Sequence, residues 1–263
     1  MAKLLAIDGL NLVRRVYQAN PDPDSAEKAD AAMRVCLQSF RKLLKLHQPT
    51  HVLPAFDFGG RTWRHDLYAR YREHREPMPE PLRNALPGLY GELADLGLPP
   101  VVSIPLVEAD DAIATCVMRW LREQRGDAIV VSTDKDLHAL IADGALVWDH
   151  FKGEWHDAAW VEKKFGVAPQ QLIDLIALMG DATDGIPGVE KIGIKTAARL
   201  LRSYGSLEGV LAGAGILMDP MGERLRRDRE LAFLSRRLAT LKTDVQLGVT
   251  WKMLAYQDPA AGT

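Results

Sequence analysis

The sequence contains little that marks membrane, disulfide-rich or zinc-binding proteins. Its two cysteines, Cys36 and Cys116, lie far apart and form no CxxC pair, which argues for reduced core thiols and against a disulfide framework or a cysteine-based metal site. No apolar run approaches the length of a membrane span, and the first residues reach an aspartate at position 8, unlike a signal peptide. We therefore expect a cytoplasmic protein with no membrane partner.

A strong net charge is also missing. The 33 Lys and Arg nearly balance the 35 Asp and Glu, and the net charge of −2 gives no direct sign of a polyanionic partner. Nine of the acids, however, fall in sequence motifs, and the chain without them is clearly basic. A basic protein with one acidic cluster is typical of a nucleic-acid enzyme that has a metal site.

The first part of the chain, residues 1–156, alternates short β-rich runs with helical patterns. A helix is predicted over about 28–47, and strands are predicted at 3–8, 51–57, 98–104, 127–133 and 145–149. Helices between strands indicate βαβ units. We therefore predict an α/β fold with a mostly parallel central sheet flanked by helices.

The second part, residues 157–263, is predicted to be a helical domain. Helices are expected over 195–205, closed by Gly205 as a left-handed C-cap, and over the basic amphipathic segment 226–244. The last residues, 258–263, are expected to form a frayed tail.

Acidic residues follow the predicted strands. Some stand directly at strand ends, others begin a helix, and two lie in the segment GDATDG after an apolar helix. The carboxyl ends of parallel strands share one edge of a sheet, where ligands bind in open α/β folds. Seven acids are expected at that edge, and the two in GDATDG join them if the helical part folds back over it. The nine acids are Asp8, Asp57, Glu108, Asp110, Asp111, Asp134, Asp136, Asp181 and Asp184.

Taken one at a time, these acids have ordinary structural interpretations as helix N-caps and Asx-turns. Nine carboxylates at one edge would repel one another strongly without cations. Their ligand atoms are all hard oxygens, which suits Mg²⁺ or Mn²⁺ and argues against zinc. So many acids favour two ions, and two-metal sites typically perform in-line displacement at a phosphodiester. The seven histidines show no clustering by spacing and receive no catalytic role.

The stretch 60–79 is rich in arginine, with Trp63, Tyr68 and Tyr71 interleaved. One interpretation is a solvated amphipathic helix with apolar anchors. The other is a segment that grips phosphates and offers an aromatic surface on which an unpaired base stacks. Composition alone does not separate the two.

Taken in order, the motifs IDGLNLVRR, AFD, YREHR, EADD, VVSTDKDL, GDATDGIPGV and KTAARLL resemble those of the 5′-nuclease family. That family includes the 5′→3′ exonuclease domain of bacterial DNA polymerase I, phage 5′-exonucleases and flap endonucleases. The motifs cover nearly the whole chain. With no polymerase domain attached, the resemblance is nearest to the stand-alone exonuclease IX, or Xni-like, type. It implies a PIN-like or resolvase-like core followed by a helix-hairpin-helix of the helix-three-turn-helix kind.

The resemblance also implies a centre with two Mg²⁺ ions, for which Mn²⁺ substitutes, and a catalytic role for all nine acids. The first ion is expected at Asp8, Asp57, Glu108 and Asp110, with Asp111 close by. The second is expected, directly or through water, at Asp134, Asp136, Asp181 and Asp184. All nine positions are filled, so we expect an active enzyme.

In the family, the region that corresponds to 60–86 forms an arch over the active site. YREHR matches a Tyr-Lys-x-x-Arg motif, which implies base stacking by Tyr71 and phosphate steering by Arg72 and Arg75 as catalytic groups. Arg72 replaces the usual lysine, which preserves the charge but removes a group able to transfer protons near neutral pH. Arg15 matches a family position near the scissile phosphate.

The segment 172–205 resembles the helix-hairpin-helix. Backbone amides at a helix N-terminus bind phosphate in such motifs. The candidate DNA contacts are Gly188, Lys191, Gly193 and Lys195. The carbonyls of Val189 and Ile192 are candidate ligands for K⁺, although Lys191 stands where the family usually has a glycine suited to positive φ. Without the resemblance, the same segment reads as a Gly-Pro turn that joins two helices.

These expectations describe a monomeric, structure-specific 5′-nuclease that hydrolyses DNA with a 5′ flap or a 5′ single-stranded end. Two-metal chemistry would leave 5′-phosphate and 3′-hydroxyl ends, and junctions would be recognised by shape and phosphates. Two alternatives stay open: a catalytically weak protein that binds flaps or junctions, and a ribonuclease on the same fold.

Overall fold

The fold is built on a five-stranded sheet. The computed structural model describes residues 2–215 and 219–257. The order of the strands is β2-β1-β3-β4-β5, and neighbours are parallel except for β4 and β5, which form an antiparallel hairpin. The strands are β1 (Ala2–Asp8), β2 (His51–Ala55), β3 (Gly126–Val131), β4 (Leu146–Asp149) and β5 (Glu154–His156). The predicted α/β class with a mostly parallel sheet is confirmed, whereas β5 was not predicted.

The predicted strand at 98–104 is wrong. Within this run, Val102 alone pairs with the sheet, as a single parallel bridge to Ala55. Pro99 and Pro100 precede it and lack the N–H groups that a strand ladder needs. The run therefore crosses the edge of β2 as an irregular segment.

Helices of the first part cover both faces of the sheet. They are α1 (Gly9–Ala19), α2 (Ala26–His47), α3 (Trp63–Leu67), α4 (Glu80–Asp95), α5 (Ala109–Arg122) and a 3-10 helix (Leu137–Asp143). Successive residues of a strand point to opposite faces of the sheet. Leu5 and Ile7 of β1 pack in one core with α1, α2 and α4, whereas Leu4 and Ala6 pack in a second core with α5. The sheet is therefore buried between two apolar layers.

The segment 60–86, which the resemblance predicts as an arch, contains no long helix. It consists of the short α3, turns that end at residue 74, an irregular stretch and the first turns of α4.

The second part is helical, as predicted. Its elements are α6 (Ala158–Phe165), a 3-10 helix (Pro169–Gln171), α7 (Leu172–Met179), α8 (Ile194–Tyr204), α9 (Leu207–Gly213), α10 (Pro220–Arg227), α11 (Arg229–Ala239) and α12 (Trp251–Leu254). Gly205 ends α8 as predicted, with a positive φ of 82° and an N–H that donates to the Leu201 carbonyl, but its ψ of −43° lies outside the left-handed helical region that was expected for this cap. The tail 258–263, expected to be frayed, lies outside the described residues.

The single helix predicted over 226–244 is wrong in two respects. Asp228, with φ −95° and ψ 15°, separates α10 from α11. Its carboxylate accepts the Glu190 N–H at 3.0 Å and pairs with Arg227, which holds the break in place. The second helix then ends at Ala239, five residues earlier than the basic pattern predicts.

The helical part folds back over the first part. Ile176 of α7 and Leu238 of α11 pack against Tyr71 in a small apolar cluster. Arg64 of α3 donates from Nε to the Leu238 carbonyl at 2.8 Å. These contacts bring the segment after α7 to the edge of the sheet. Within 2–215 and 219–257, no helix has the length and apolar character needed to cross a membrane.

Candidate active site

Local turns aim the first acids at the carboxyl edge of the sheet. Asp8 closes β1 and caps α1, because its carboxylate accepts the Asn11 N–H at 3.1 Å and the Ser132 hydroxyl at 2.9 Å. After β3, Asp134 accepts the Asp136 N–H at 2.9 Å. Two strand ends therefore place three carboxylates beside one another.

The N-terminus of α5 reaches the same edge through Asp57. This residue follows β2 and accepts the backbone N–H of Ala109 at 2.7 Å. The contact brings Glu108 and Asp110, at the start of α5, next to Asp57. Asp57 and Asp110 then line a cleft of about 670 Å³ together with Asp8, a size that accommodates small-molecule or nucleotide groups.

Burial and mutual repulsion raise the pKa of several of these carboxyls. Burial is the largest cause at Asp8, whose pKa rises to about 7, and the charges of Asp57 and Asp134 raise it further. The pKa values of Asp110 and Asp136 are also raised, first by burial and then by neighbouring carboxylates. Bound cations would relieve this repulsion.

The clearest sign of a missing positive charge is at Asp136. Its Oδ1 is buried and has no hydrogen-bond partner among the described residues. A buried carboxylate oxygen without a partner is costly. An all-oxygen donor set with such an unpaired acceptor fits a hard divalent cation.

Basic side chains already contact three of the acids. Arg72 donates from Nε to Asp184 Oδ1 at 2.7 Å, and its Nη1 lies 3.1 Å from Glu108 Oε2. Lys135 pairs with Asp181. Burial is the largest single effect on the pKa of Asp184 and raises it, but the charge and hydrogen bond of Arg72, together with the charges of Arg75 and Lys135, lower that pKa overall. The two acids of GDATDG thus join the edge, each with a cationic partner.

The structure corrects the expectation for Asp111, which does not face the other eight acids. Its side chain is fully buried, and its two oxygens accept hydrogen bonds from Arg64 at 2.7 and 2.9 Å. It also accepts from Trp63 Nε1 at 2.8 Å and from the Lys242 N–H at 2.9 Å. Arg64 lies between Asp111 and Glu108, which is 3.5 Å away on its other side. Asp111 therefore has a structural role: it holds α3, through Trp63 and Arg64, and the backbone at Lys242 against the start of α5.

The structure also corrects the expectation of a base-stacking surface at Tyr71. The residue is 3% exposed, and its hydroxyl donates to Glu108 at 3.2 Å. Its ring packs in the apolar cluster that joins α7 and α11. In this conformation Tyr71 orients a carboxylate and offers no face to a base. Arg75, by contrast, lines the cleft beside Asp57.

The cleft contains an arginine that sequence reasoning missed. Arg14, in the doublet Arg14-Arg15, lines the cleft with Asp57 and Arg75. Arg15, the residue singled out by the family motif, is exposed at the rim and lies over the ring of Phe151 at 4.7 Å. The Arg14-Arg15 doublet was the feature of the sequence that could have indicated an arginine in the cleft. Only the packing of α1 shows which of the two arginines faces the cleft.

The predicted hairpin has a tightly constrained turn between α7 and α8. Gly188 has a φ of 65°, and a Cβ there would lie 2.3 Å from the Gly180 nitrogen. Lys191 has a φ of 58°, the left-handed conformation expected for the glycine that the family usually has. Gly193 caps α8, and Lys195 is exposed in its first turn.

The two candidate K⁺ ligands are buried in the same turn. The Val189 carbonyl accepts the Ile192 N–H at 3.1 Å. Both side chains pack in the core of the helical part.

Comparisons with known proteins agree with this architecture. The fold is similar to that of T5 5′-exonuclease with divalent metal ions (zinc) bound, with a TM-score of 0.77 and 22% identity over 92% of this chain and 90% of that chain. It is also similar to the catalytic core of Rad2 in complex with DNA substrate, with a TM-score of 0.60 and 18% identity over 98% and 83% of the two chains.

Sequence comparisons show which family the chain belongs to. The chain is 42% identical over 248 residues to the flap endonuclease Xni of Shewanella amazonensis, covering 94% of this chain and 95% of the relative. It is 38% identical over 260 residues to the flap endonuclease Xni of Shewanella sp. (strain ANA-3), covering 99% and 98%. Residues 3–166 match the family described as 5′-3′ exonuclease, N-terminal resolvase-like domain, and residues 167–261 match 5′-3′ exonuclease, C-terminal SAM fold. The chain therefore belongs to the 5′-3′ exonuclease family.

Proposed function

We propose that this chain cuts DNA at the junction between a 5′ single strand or flap and its duplex, leaving 5′-phosphate and 3′-hydroxyl ends. As a member of its family, the chain is a metal-dependent, structure-specific 5′-nuclease that hydrolyses DNA phosphodiester bonds. The observation that carries the proposal is the convergence of eight acids, one of which, Asp136, has a buried oxygen with no partner in the part of the chain that the structure describes.

Two Mg²⁺ ions are the proposed cofactors, and Mn²⁺ is expected to substitute for them. The proposed ligand groups are Asp8, Asp57, Glu108 and Asp110 for one ion, and Asp134, Asp136, Asp181 and Asp184 for the other. When bound, the ions supply Lewis-acid stabilisation of charge at the phosphodiester and make water a better nucleophile. The all-oxygen donor set supports this choice of metal.

The arginines of the cleft are proposed to bind and orient the scissile strand. Arg14 and Arg75 line the cleft beside Asp57 and offer positive charge for phosphate. Arg72 now neutralises Asp184 and Glu108. Once cations neutralise those acids, its guanidinium becomes available to a phosphate.

The hairpin is proposed to hold the duplex. Lys191 and Lys195 are exposed near the N-terminus of α8, where backbone N–H groups favour phosphate. The carbonyls of Val189 and Ile192 are proposed K⁺ ligands in the same turn. We further propose that the chain acts as a monomer in the cytoplasm, with a nuclease domain over 1–156 and a DNA-binding domain over 157–263.

Single-turnover cleavage of a labelled 5′-flap DNA in Mg²⁺ tests the proposal. Asp181→Asn and Asp184→Asn are expected to lower the cleavage rate at least about 100-fold while flap binding persists. Asp127→Asn, exposed at the opposite end of β3, is the matched control and should cleave normally. Tight flap binding without cleavage in Mg²⁺ or Mn²⁺ would leave a junction-binding protein. Preferential cleavage of an all-RNA flap would indicate a ribonuclease.

A further inference from the structure

A second recess opens beside the acidic edge of the sheet, between the loop after β2 and α4. It has a volume of about 750 Å³ and continues from the cleft, since Arg14, Asp57 and Arg75 line both. We call this recess the side pocket, and its volume is within the range of sites that hold small ligands, roughly 300–1,000 Å³. The residues shared with the cleft are mostly charged, whereas the remaining wall is largely apolar. The apolar side chains are Phe58, Met78, Leu86, Tyr90 and Val107.

Phe58 lines this pocket with most of its ring in solvent. Its exposed fraction is 61%, although the residue directly follows Asp57 of the acidic edge. The aromatic ring on the opposite wall, by contrast, is held in place. Phe56 is buried and contacts the Tyr90 ring edge to face, with centroids 4.9 Å apart. An exposed aromatic face therefore lies next in sequence to a proposed metal ligand.

The loop that carries Phe58 is fixed at both ends. Asp57 at one end and Thr62 at the other are hydrogen-bonded to the start of α5, at 2.7 and 2.8 Å. Between them, Gly59 and Gly60 have φ values of 89° and 81°, and a Cβ on either would have no atom within 4 Å. No close approach requires glycine there, so the two residues serve the left-handed backbone conformation. The position of Phe58 is therefore built into the loop.

The charge beside Phe58 distinguishes it from other exposed apolar residues, which are common in soluble proteins. Nε of Arg14 is buried in the wall of the pocket and has no hydrogen-bond partner among residues 2–215 and 219–257. Arg75 and Arg83 line the same pocket. A guanidinium that lacks a partner, next to an aromatic and apolar wall, suits a ligand with one anionic and one flat apolar part. A nucleotide has this chemistry.

We propose that the side pocket takes the base of the first unpaired nucleotide of the 5′ strand, stacked on Phe58. This inference rests on the proposed function, which puts the scissile phosphate at the acids beside Asp57. Arg14 and Arg75 would contact the phosphates that flank this nucleotide, while its base reaches the apolar wall. Phe58 would then supply the stacking face that the buried Tyr71 does not offer.

Such a contact would favour a particular kind of DNA. A base has to leave the duplex to enter the pocket, so a junction with a free 5′ strand is favoured over continuous duplex. Every base has an aromatic face, and stacking on Phe58 would therefore select unpaired nucleotides without reading the sequence.

Flap binding by the full chain, measured by fluorescence anisotropy, tests the pocket. Ca²⁺, which also prefers oxygen ligands, takes the place of Mg²⁺ in this measurement. Two labelled 5′-flap DNAs are compared, one intact and one with an abasic site at the first unpaired nucleotide. We expect the abasic site to weaken binding by the wild type at least about fivefold, because it removes the stacked base. An abasic site farther out along the flap should leave binding unchanged.

Variants at Phe58 show whether the lost contact is the one to this ring. Phe58→Ala should bind the intact flap at least about fivefold more weakly than the wild type, and should bind the intact and abasic flaps equally. Phe58→Leu keeps an apolar side chain without an aromatic face and should behave as Phe58→Ala does, whereas Phe58→Tyr should bind as the wild type does. Leu46→Ala, at a 52% exposed position in the last turn of α2, is the matched control and should bind both flaps as the wild type does.

Three results would overturn the proposal. One is a wild type that binds the intact and abasic flaps equally. Another is a Phe58→Ala variant that still loses affinity for the abasic flap by the wild-type factor, because the base and the ring would then contribute independently. The third is wild-type binding by Phe58→Leu, which would exclude stacking. In each case the intact flap is still bound by the wild type and the nuclease proposal stands, whereas a wild type that binds no flap would reject both proposals.

Discussion

Arg72 is joined to Asp184 twice, across 112 positions of the sequence. Its Nε donates to the Asp184 carboxylate at 2.7 Å, and its backbone N–H donates to the Asp184 carbonyl at 2.9 Å. The residue adopts a φ of 53°, which a non-glycine residue accepts only at a cost. The pair therefore fastens the arginine-rich segment to the turn after α7. It also places a guanidinium where the acids need positive charge.

Removing this guanidinium should make folding depend on Mg²⁺. In Arg72→Ala, Asp184 and Glu108 lose a largely buried partner, and the metal-free chain should lose about 3 kcal/mol of unfolding free energy. Mg²⁺ should restore more stability to this variant than to the wild type, because it neutralises the same acids. Urea unfolding with and without Mg²⁺ measures both effects. Arg70→Ala breaks only an exposed pair with Glu73 and should change little. A Mg²⁺ effect no larger than in the wild type would contradict the assignment.

Two adjacent acids should respond in opposite ways to the same substitution. Asp111→Asn removes the closer of the two carboxylates that pair with the buried Arg64 and should cost about 3 kcal/mol of stability, while Mg²⁺ affinity is kept by the folded fraction. Asp110→Asn removes a charge that its neighbours repel, so the metal-free chain should become no less stable while Mg²⁺ binding weakens. Calorimetric Mg²⁺ titration beside chemical unfolding separates the two. If both variants lost metal affinity equally, the structural role of Asp111 would be rejected.

The contrast between Asp110 and Asp111 shows how much of the site can be predicted from the sequence. The continuous apolar runs of β1 and β3 predict that these strands are buried. Because the acids follow parallel strands, they must lie at one edge of the sheet. The sheet and most of the acidic cluster can therefore be predicted from the sequence. Within EADD, however, the acids look alike. Only the approach of Arg64, 47 residues away from Asp111, decides which acid turns inward. The burial of Tyr71 likewise depends on tertiary packing, and no periodicity in the sequence reveals it.

A buried histidine outside the active site should account for part of the loss of folding stability at low pH. Burial lowers the pKa of His47 to about 4, and its Nε2 has no partner among the described residues, against the rings of Trp148 and Trp155. Between pH 6.5 and 4 the unfolded chain binds a proton at this residue that the native chain does not, so stability falls as the pH falls, by at most about 3 kcal/mol. His47→Leu should flatten that slope. His74→Leu, at an exposed position, should keep the wild-type slope, and identical slopes for all three would rule the mechanism out.

Lys191 should trade stability for DNA affinity. At a φ of 58°, a lysine costs about 1 kcal/mol relative to glycine, so Lys191→Gly should raise the unfolding free energy by about that amount. If the exposed ammonium contacts a phosphate, the same change should weaken flap binding and reduce the slope of log K against log salt by about 0.9. Fluorescence anisotropy across a salt series measures the slope, with Lys45→Ala on the exposed side of α2 as the control. A more stable variant with an unchanged salt slope would mean that Lys191 serves the turn alone and that the duplex is held elsewhere, with Lys195 the next residue to test.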